Sequence, residues 1–200
     1  MMTRRLVQLF IGLALYGVAI VLLVRADLGL DPWNVLNQGV VAKTGWPFGA
    51  TVIGIGALLL LVWIPLRQRP GFGTIANIIL VGLVVDWVMP FVATPAGLWG
   101  KALLLVAGVV TTAVATGCYL GAAMGPGPRD GLMTGVVART GWSVRIVRTA
   151  IELTVLGIGW LLGGKVGVGT VVYALAIGPL IQVFLPLFAL PRREAAVAGA

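Results

Sequence analysis

Six stretches of this chain, at about 6–24, 47–66, 73–92, 102–124, 146–163 and 168–190, are apolar and poor in charge. Most approach the roughly 20 residues that a helix needs to cross the hydrocarbon layer. Lipid cannot hydrogen-bond an exposed backbone, so segments of this kind have little choice but to become helices. Composition agrees: 60% of the 200 residues are hydrophobic and 10% are charged. The expected fold class is an all-α membrane protein, and the whole chain, 1–200, reads as one polytopic domain.

The chain also repeats itself. Residues 39–46, "GVVAKTGW", return at 135–142 as "GVVARTGW", an offset of 96 (135 − 39). At the same offset Gly12 falls on Gly108, Gly29 and Pro32 on Gly125 and Pro128, and Leu36 on Leu132. Gly71, Gly73 and Thr74 fall on Gly167, Gly169 and Thr170, Gly82 on Gly178, and Pro90 on Pro186. Two copies of one unit, about 5–100 and 101–196, account for this. In each copy a first apolar span leads into a Gly/Pro-rich link ("ADLGLDP", "AAMGPGP"). A short segment follows, then two further spans.

The short segments, 32–44 and 128–140, decide the topology. Thirteen helical residues cover about 20 Å, too little for a hydrocarbon layer of roughly 30 Å. They carry Asn34, Asn37, Gln38 and Lys43 in one copy and Arg129, Asp130 and Arg139 in the other. Each is expected to be an interfacial or re-entrant helix, which leaves three crossings per copy. An odd number makes the second copy enter from the opposite side, so six transmembrane helices form two inverted three-helix repeats. Charge points the same way. With the N-terminus cytoplasmic, Arg4, Arg5, Arg67, Arg69, Arg129, Arg139, Arg145, Arg148, Arg192 and Arg193 fall inside, against Arg25, Lys43, Lys101 and Lys165 outside. Both termini are expected in the cytoplasm of a bacterial cell, with Trp46, Trp87, Trp99 and Trp142 near span ends as interfacial anchors.

Two alternatives for the N-terminus and the charge are set aside on the residues. Arg4-Arg5, an apolar run and Val24-Arg25-Ala26 imitate a signal peptide. The run is about 19 residues, longer than a cleaved signal carries, and its counterpart at 102–121 is internal, so a retained helix is expected. The formal charge of +8 lies between the spans and has no interleaved aromatics to bind a nucleic-acid strand, so no nucleic-acid partner is expected. Cys118 is the sole cysteine and histidine is absent. An intramolecular disulfide, a Cys/His metal site and a Ser-His or Cys-His nucleophile pair are therefore excluded. No cofactor, metal or catalytic residue is expected, and the chain reads as no enzyme.

Candidate ligand-binding residues lie where the short segments begin. Asp31-Pro32 sets an N-cap before proline at the first helical position, and Gly127-Pro128 repeats it with a weaker cap. Asn34 and Asp130, two residues past each proline, are placed to reach back to the cap. Such helix starts offer unpaired N–H groups to an anion or carboxylate. Ordinary capping accounts for the same residues, while paired interrupted segments in two inverted copies point to a transport site. Asp31, Pro32, Asn34, Pro128, Arg129 and Asp130 therefore form the candidate site. Glu152, one turn after Arg148, joins it: a carboxylate in a span faces protein or a wet cavity, or else pairs with Arg148 near the headgroups. Asp86 matches Gln182, and Asn77 matches Tyr173; each pair could line a path or bridge neighbouring helices. Gly178-Pro179 is expected to kink the last span.

The stretches "LGLDPWNVLNQGVVAKTGWPFG", "IPLRQRPGFGT" and "GPGPRDGLMTGVVARTGW" together resemble the YczE/YyaS/YitT-like bacterial integral membrane proteins over essentially the whole chain. The resemblance implies a bacterial inner-membrane protein of this size and assigns no substrate. The expected function is transport or channelling of a small, anionic solute. The alternative is a non-transporting subunit that supports another membrane complex. Lipid, an unidentified small solute, and a second copy or membrane partner are the expected partners.

Overall fold

The computed structural model describes residues 2–190, and within them the regular structure is entirely helical. Eight α-helices follow in order: α1 Met2–Ala26, α2 Pro32–Thr44, α3 Phe48–Leu66, α4 Phe72–Val88, α5 Leu98–Gly121, α6 Pro128–Thr140, α7 Val144–Leu161 and α8 Val168–Phe188. A single 3₁₀ turn, Met89–Phe91, ends α4. α1, α3, α4 with its 3₁₀ turn, α5 and α8 are long and apolar enough to cross a membrane. α7 has 18 residues but includes Arg145, Arg148 and Glu152, and these three charges separate it from the other five.

The 96-residue offset reappears in the backbone. α2 and α6 each have 13 residues, begin on proline and end at a left-handed glycine, Gly45 (φ 71°) and Gly141 (φ 70°). The links before them take the same path, with positive φ at Asp27 and Gly29 in one and at Ala123 and Gly125 in the other. Gly29 cannot be replaced on either ground, since its φ is +107° and a Cβ there would meet the Gly167 backbone at 2.5 Å.

Packing follows the same pattern. α1 crosses α5 at the centre, where a Cβ on Gly12 would overlap Tyr119 N and Cys118 Cβ, and one on Gly108 would overlap Leu23. α4 lies on α1 and α8 on α5. The short helices are exchanged between the halves: α2 packs on α7, and α6 on α3. Small residues let backbones approach closely where lipid offers no hydrophobic drive for helix association. Gly12, Gly17, Gly56, Gly108 and Gly159 serve in that way, whereas Gly54 and Gly157 face open space. One pairing is not repeated, because α3 packs on α4 while α7 and α8 barely touch. α8 buries only Gly169, Thr170 and Ile177. It also runs as one helix from Val168 to Phe188 with Pro179 and Pro186 inside it.

Caps fix the helix starts. Ser143 Oγ accepts from Ile146 N (3.3 Å) to open α7. α3 opens on Pro47 and takes its cap from another helix: Asp86 Oδ1 and Oδ2 accept from Gly49 N (2.6 Å) and Ala50 N (3.0 Å). Asp86 therefore bridges neighbouring helices rather than lining a path.

Candidate functional site

A cavity of about 640 Å³ lies where the two short helices begin, and all eight helices contribute to its wall. Of the expected residues, Asp31, Pro32, Pro128, Arg129, Asp130, Arg148 and Glu152 line it. Asn34 stands behind them, 2% exposed. The starts of α2 and α6 meet: Arg129 Nη1 lies 3.6 Å from Asp31 Oδ2, and its guanidinium sits 5.1 Å above the Trp33 ring. At 3.6 Å the pair is an ion pair without a hydrogen bond. Asp31, from one half, is 3% exposed, so its charge is held among protein groups.

A row of polar side chains runs along one face of α2 from that aspartate. Asn34 N and Nδ2 donate to Asp31 (3.4 and 2.5 Å), and Asn37 Nδ2 donates to Asn34 Oδ1 (3.0 Å). A carboxylate can only accept, so it fixes the orientation of the Asn34 amide, which in turn fixes that of Asn37. Asn37, which lines the cavity, ends the row, and its Oδ1 is buried without a hydrogen-bond partner among the described residues. A buried polar atom of this kind is uncommon, because leaving it unpaired is costly.

α6 begins differently. Its cap, Gly127, has no side chain to offer. Asp130 lies back over Gly127, where a Cβ would be 3.0 Å from its Oδ2, but that oxygen accepts from Tyr119 OH at 3.0 Å rather than capping the helix. The tyrosine reaches it from α5, and a tertiary partner of that kind competes directly with a local cap. Arg148 and Glu152 are bonded to each other at 2.9 Å and are 54% and 38% exposed. They form the cavity's mouth with Arg145, which also lines it. Three carboxylates and three guanidiniums thus line one space: Asp31, Asp130 and Glu152 against Arg129, Arg145 and Arg148.

The sequence marked Tyr173, through its match with Asn77, but neither Tyr16 nor Tyr119. The chain has three, Tyr16, Tyr119 and Tyr173, and all of them line the cavity. Tyr16 and Tyr119 meet edge to face at 5.9 Å. Their positions inside apolar runs were the available signal, and the Asn77–Tyr173 match marked one of them, since both of those residues line the cavity as well.

Outside the cavity, Asp27 in the link before α2 accepts hydrogen bonds from Lys165 Nζ (2.5 Å) and Lys101 Nζ (3.1 Å). Those two bonds hold its carboxyl below the usual aspartate pKa. Lys165 N also donates to Gln38 Oε1 (2.7 Å), and Leu30 N to Lys165 O (3.4 Å). The equivalent link has Ala123 in place of Asp27 and Pro126 in place of Leu30. Neither the ion pairs nor that backbone donor exists there. The second link is held by other bonds, among them Thr74 Oγ1 donating to Pro126 O (2.7 Å) and Arg5 Nη1 to Ala122 O (3.1 Å).

The model of a family of unknown function, DUF6198, matches residues 3–186. The chain belongs to that family. An uncharacterised protein of Haemophilus influenzae is 38% identical over 181 residues, covering 90% of this chain and 83% of its own. Bacillus subtilis contributes the uncharacterised membrane protein YczE, 33% identical over 200 residues (94% of this chain, 91% of its own). It also contributes the uncharacterised protein YyaS, 24% identical over 181 residues (88% and 90%). The YczE/YyaS resemblance is thus shown, and with the apolar helices it makes this DUF6198 member a multi-pass integral membrane protein. No solved structure matches it.

Proposed function

We propose that this DUF6198 member moves a small solute across the bacterial inner membrane by exposing one central site to the two sides in turn. The observation that carries this reading is the meeting of the α2 and α6 starts, through Asp31 and Arg129, on a cavity of about 640 Å³. Helices too short to span, one from each half, reach a common point if each dips in from its own face. That arrangement follows from two inverted three-span units with α7 as the sixth crossing. The charges on α7 support this assignment, because Arg145, Arg148 and Glu152 all line the cavity and need not face lipid.

In this reading the N-terminus is cytoplasmic, and the Asp27–Lys101–Lys165 cluster lies at the outer end. The cavity opens inward past Arg145, Arg148 and Glu152, and the chain carries out no covalent chemistry. The test is flux into liposomes that contain this protein alone, using radiolabelled chloride, phosphate, amino acids and sugars as probes. Uptake of at least one above empty liposomes is expected. No uptake of any probe, from protein that remains monodisperse, would overturn transport in favour of a supporting membrane subunit.

A further inference from the structure

The polar groups at the deep end of the cavity are not arranged for a simple anion. The start of α2 already holds a carboxylate, Asp31, whose two oxygens accept from Asn34 N and Nδ2. The next residue along the row that lines the cavity, Asn37, also carries an acceptor, its Oδ1, buried and without a hydrogen-bond partner among the described residues. One N–H of each amide is spent inside the row, Asn34 Nδ2 on Asp31 Oδ1 and Asn37 Nδ2 on Asn34 Oδ1. On this side the site therefore asks for a ligand that donates several hydrogen bonds and carries positive charge.

The facing group is of opposite character. Arg129 has five N–H donors, and Asp31 is near only one end of the guanidinium, at 3.6 Å and too far for a hydrogen bond. An anion placed on Arg129 would draw it from Asp31 and leave a carboxylate that is 3% exposed without its cation, an expensive outcome. A cation placed on Asp31 would strand Arg129 in the same way. A ligand that carries both charges replaces one long ion pair with two short ones and strands neither partner.

We propose that the deep end of the cavity binds a small zwitterion with a primary ammonium group and a carboxylate, the chemistry of an α-amino acid. The ammonium is held by Asp31 and Asn37 Oδ1, and the carboxylate by Arg129. The ligand's net charge of zero also preserves the balance of three acids and three arginines around the space. Tyr16 and Tyr173 line the same space and offer amphipathic rings for the remainder of the molecule. The inference rests on the reading of the cavity as a solute site, and it narrows the anionic solute that the sequence suggested to one that is anionic at one end only.

The experiment uses the full chain in lipid nanodiscs and matched sets of probes in which only charge is edited. One set is leucine (zwitterion), N-acetyl-leucine (anion) and leucinamide (cation); the same three forms of glycine and phenylalanine vary the size. Binding is read from the rise in melting temperature with probe concentration c, fitted to a stabilisation of RT ln(1 + c/Kd). In at least one set the zwitterion should bind roughly tenfold or more tightly than both edited forms, since each edit removes a charge-assisted hydrogen bond. Asp31→Asn keeps a good helix cap and should erase the preference over the anion. Arg129→Gln should erase the preference over the cation.

The zwitterion assignment is overturned if no zwitterion binds, or if the N-acetyl form binds as tightly as its parent in every set that binds. The same probes applied to liposomes separate the two claims. Uptake of an N-acetyl form or an inorganic anion without uptake of any zwitterion would end this assignment and leave transport standing. Tenfold-selective binding without uptake would do the reverse.

Discussion

Trp63 and Gly131 make one of the closest contacts in the fold, and its perturbation can be worked out from the geometry. Trp63 is 1% exposed and its Nε1 donates to Pro128 O at 3.0 Å, which ties α3 to the first residue of α6. A Cβ on Gly131 would fall among Cζ2, Cη2 and Cε2 of the indole, which are rigid ring atoms rather than a flexible side-chain end. Gly131→Val should therefore cost about 3 kcal/mol, at the upper end of the usual 1–3 for overpacking, because the ring must leave its site. Trp63→Ala should cost about 3–5 kcal/mol through lost contacts and the residual cavity. In the double variant the valine enters the space the indole has left. The combined cost should fall below the sum of the single costs by about 0.5–3 kcal/mol. The assay is reversible unfolding of the purified protein in mixed micelles, followed by far-ultraviolet circular dichroism as the denaturing detergent fraction rises. Additivity of the two changes to within about 0.5 kcal/mol would refute the contact. The matching site in the other half supplies a control: Trp63 corresponds to Gly159 and Gly131 to Val35, so there the glycine is on the long helix and the larger residue on the short one. A Cβ on Gly159 would meet the backbone of Leu36 at 2.5 Å, so Gly159→Ala should destabilise with no side-chain change on α2 to rescue it.

Asp86→Ala should cost about 0.5–2 kcal/mol of stability through loss of the α3 cap, and Asp86→Asn less, measured in the same unfolding assay. Asp27 has a folded pKa below its unfolded value because of Lys165 and Lys101. Its stabilisation is therefore present above the usual aspartate range and lost as pH falls through the lower folded value. Melting temperature should fall in that acid window, and Asp27→Asn should remove this part of the fall. Arg148 and Glu152 are exposed partners four residues apart, so either glutamine substitution should change stability by only about 0.3–0.5 kcal/mol; a larger loss would show that they hold the cavity mouth together. For orientation, single cysteines at Lys43, Gly97 and Val166 in a Cys118→Ala background should react with an impermeant thiol reagent on intact cells, while one at Arg69 should not. Labelling at position 69 would reverse the proposed topology.

What could be read from the sequence was what depends on short range or on the repeat. Pro32, Gly45, Pro128 and Gly141 bound the short helices as the two copies of "GVV-TGW" suggest. The Asp31–Asn34 cap closes across three residues. The same local rule fails at Asp130, where Tyr119 comes from another helix to take the carboxylate. It could not show that Asp86 caps a helix that begins 38 residues earlier (86 − 48). The junction of Asp31 with Arg129 joins groups 98 positions apart (129 − 31), and only the exchange of short helices between the halves brings them together. Tyr16 and Tyr119 were invisible for a similar reason: an aromatic in an apolar run has the same appearance whether it faces lipid, core or cavity. The final positions, among them Arg192, Arg193 and the end of the second repeat, lie outside the described residues.

The exchange of α2 and α6 has a consequence for how the chain is made. α2 rests on α7, yet 117 residues separate the end of one from the end of the other (161 − 44). At about 5–20 residues per second the ribosome needs roughly 6–23 s to deliver that partner. Arg129 follows after 85 of those residues (129 − 44), but throughout the interval Asp31, Asn34 and Asn37 lack the complete helix on which α2 packs in the finished protein. The early segment must therefore wait at the membrane surface or in the insertion machinery, and a pause or truncation before α7 emerges would strand it there. The wall of the cavity is not complete until α8 has followed as well, however early its first half is translated.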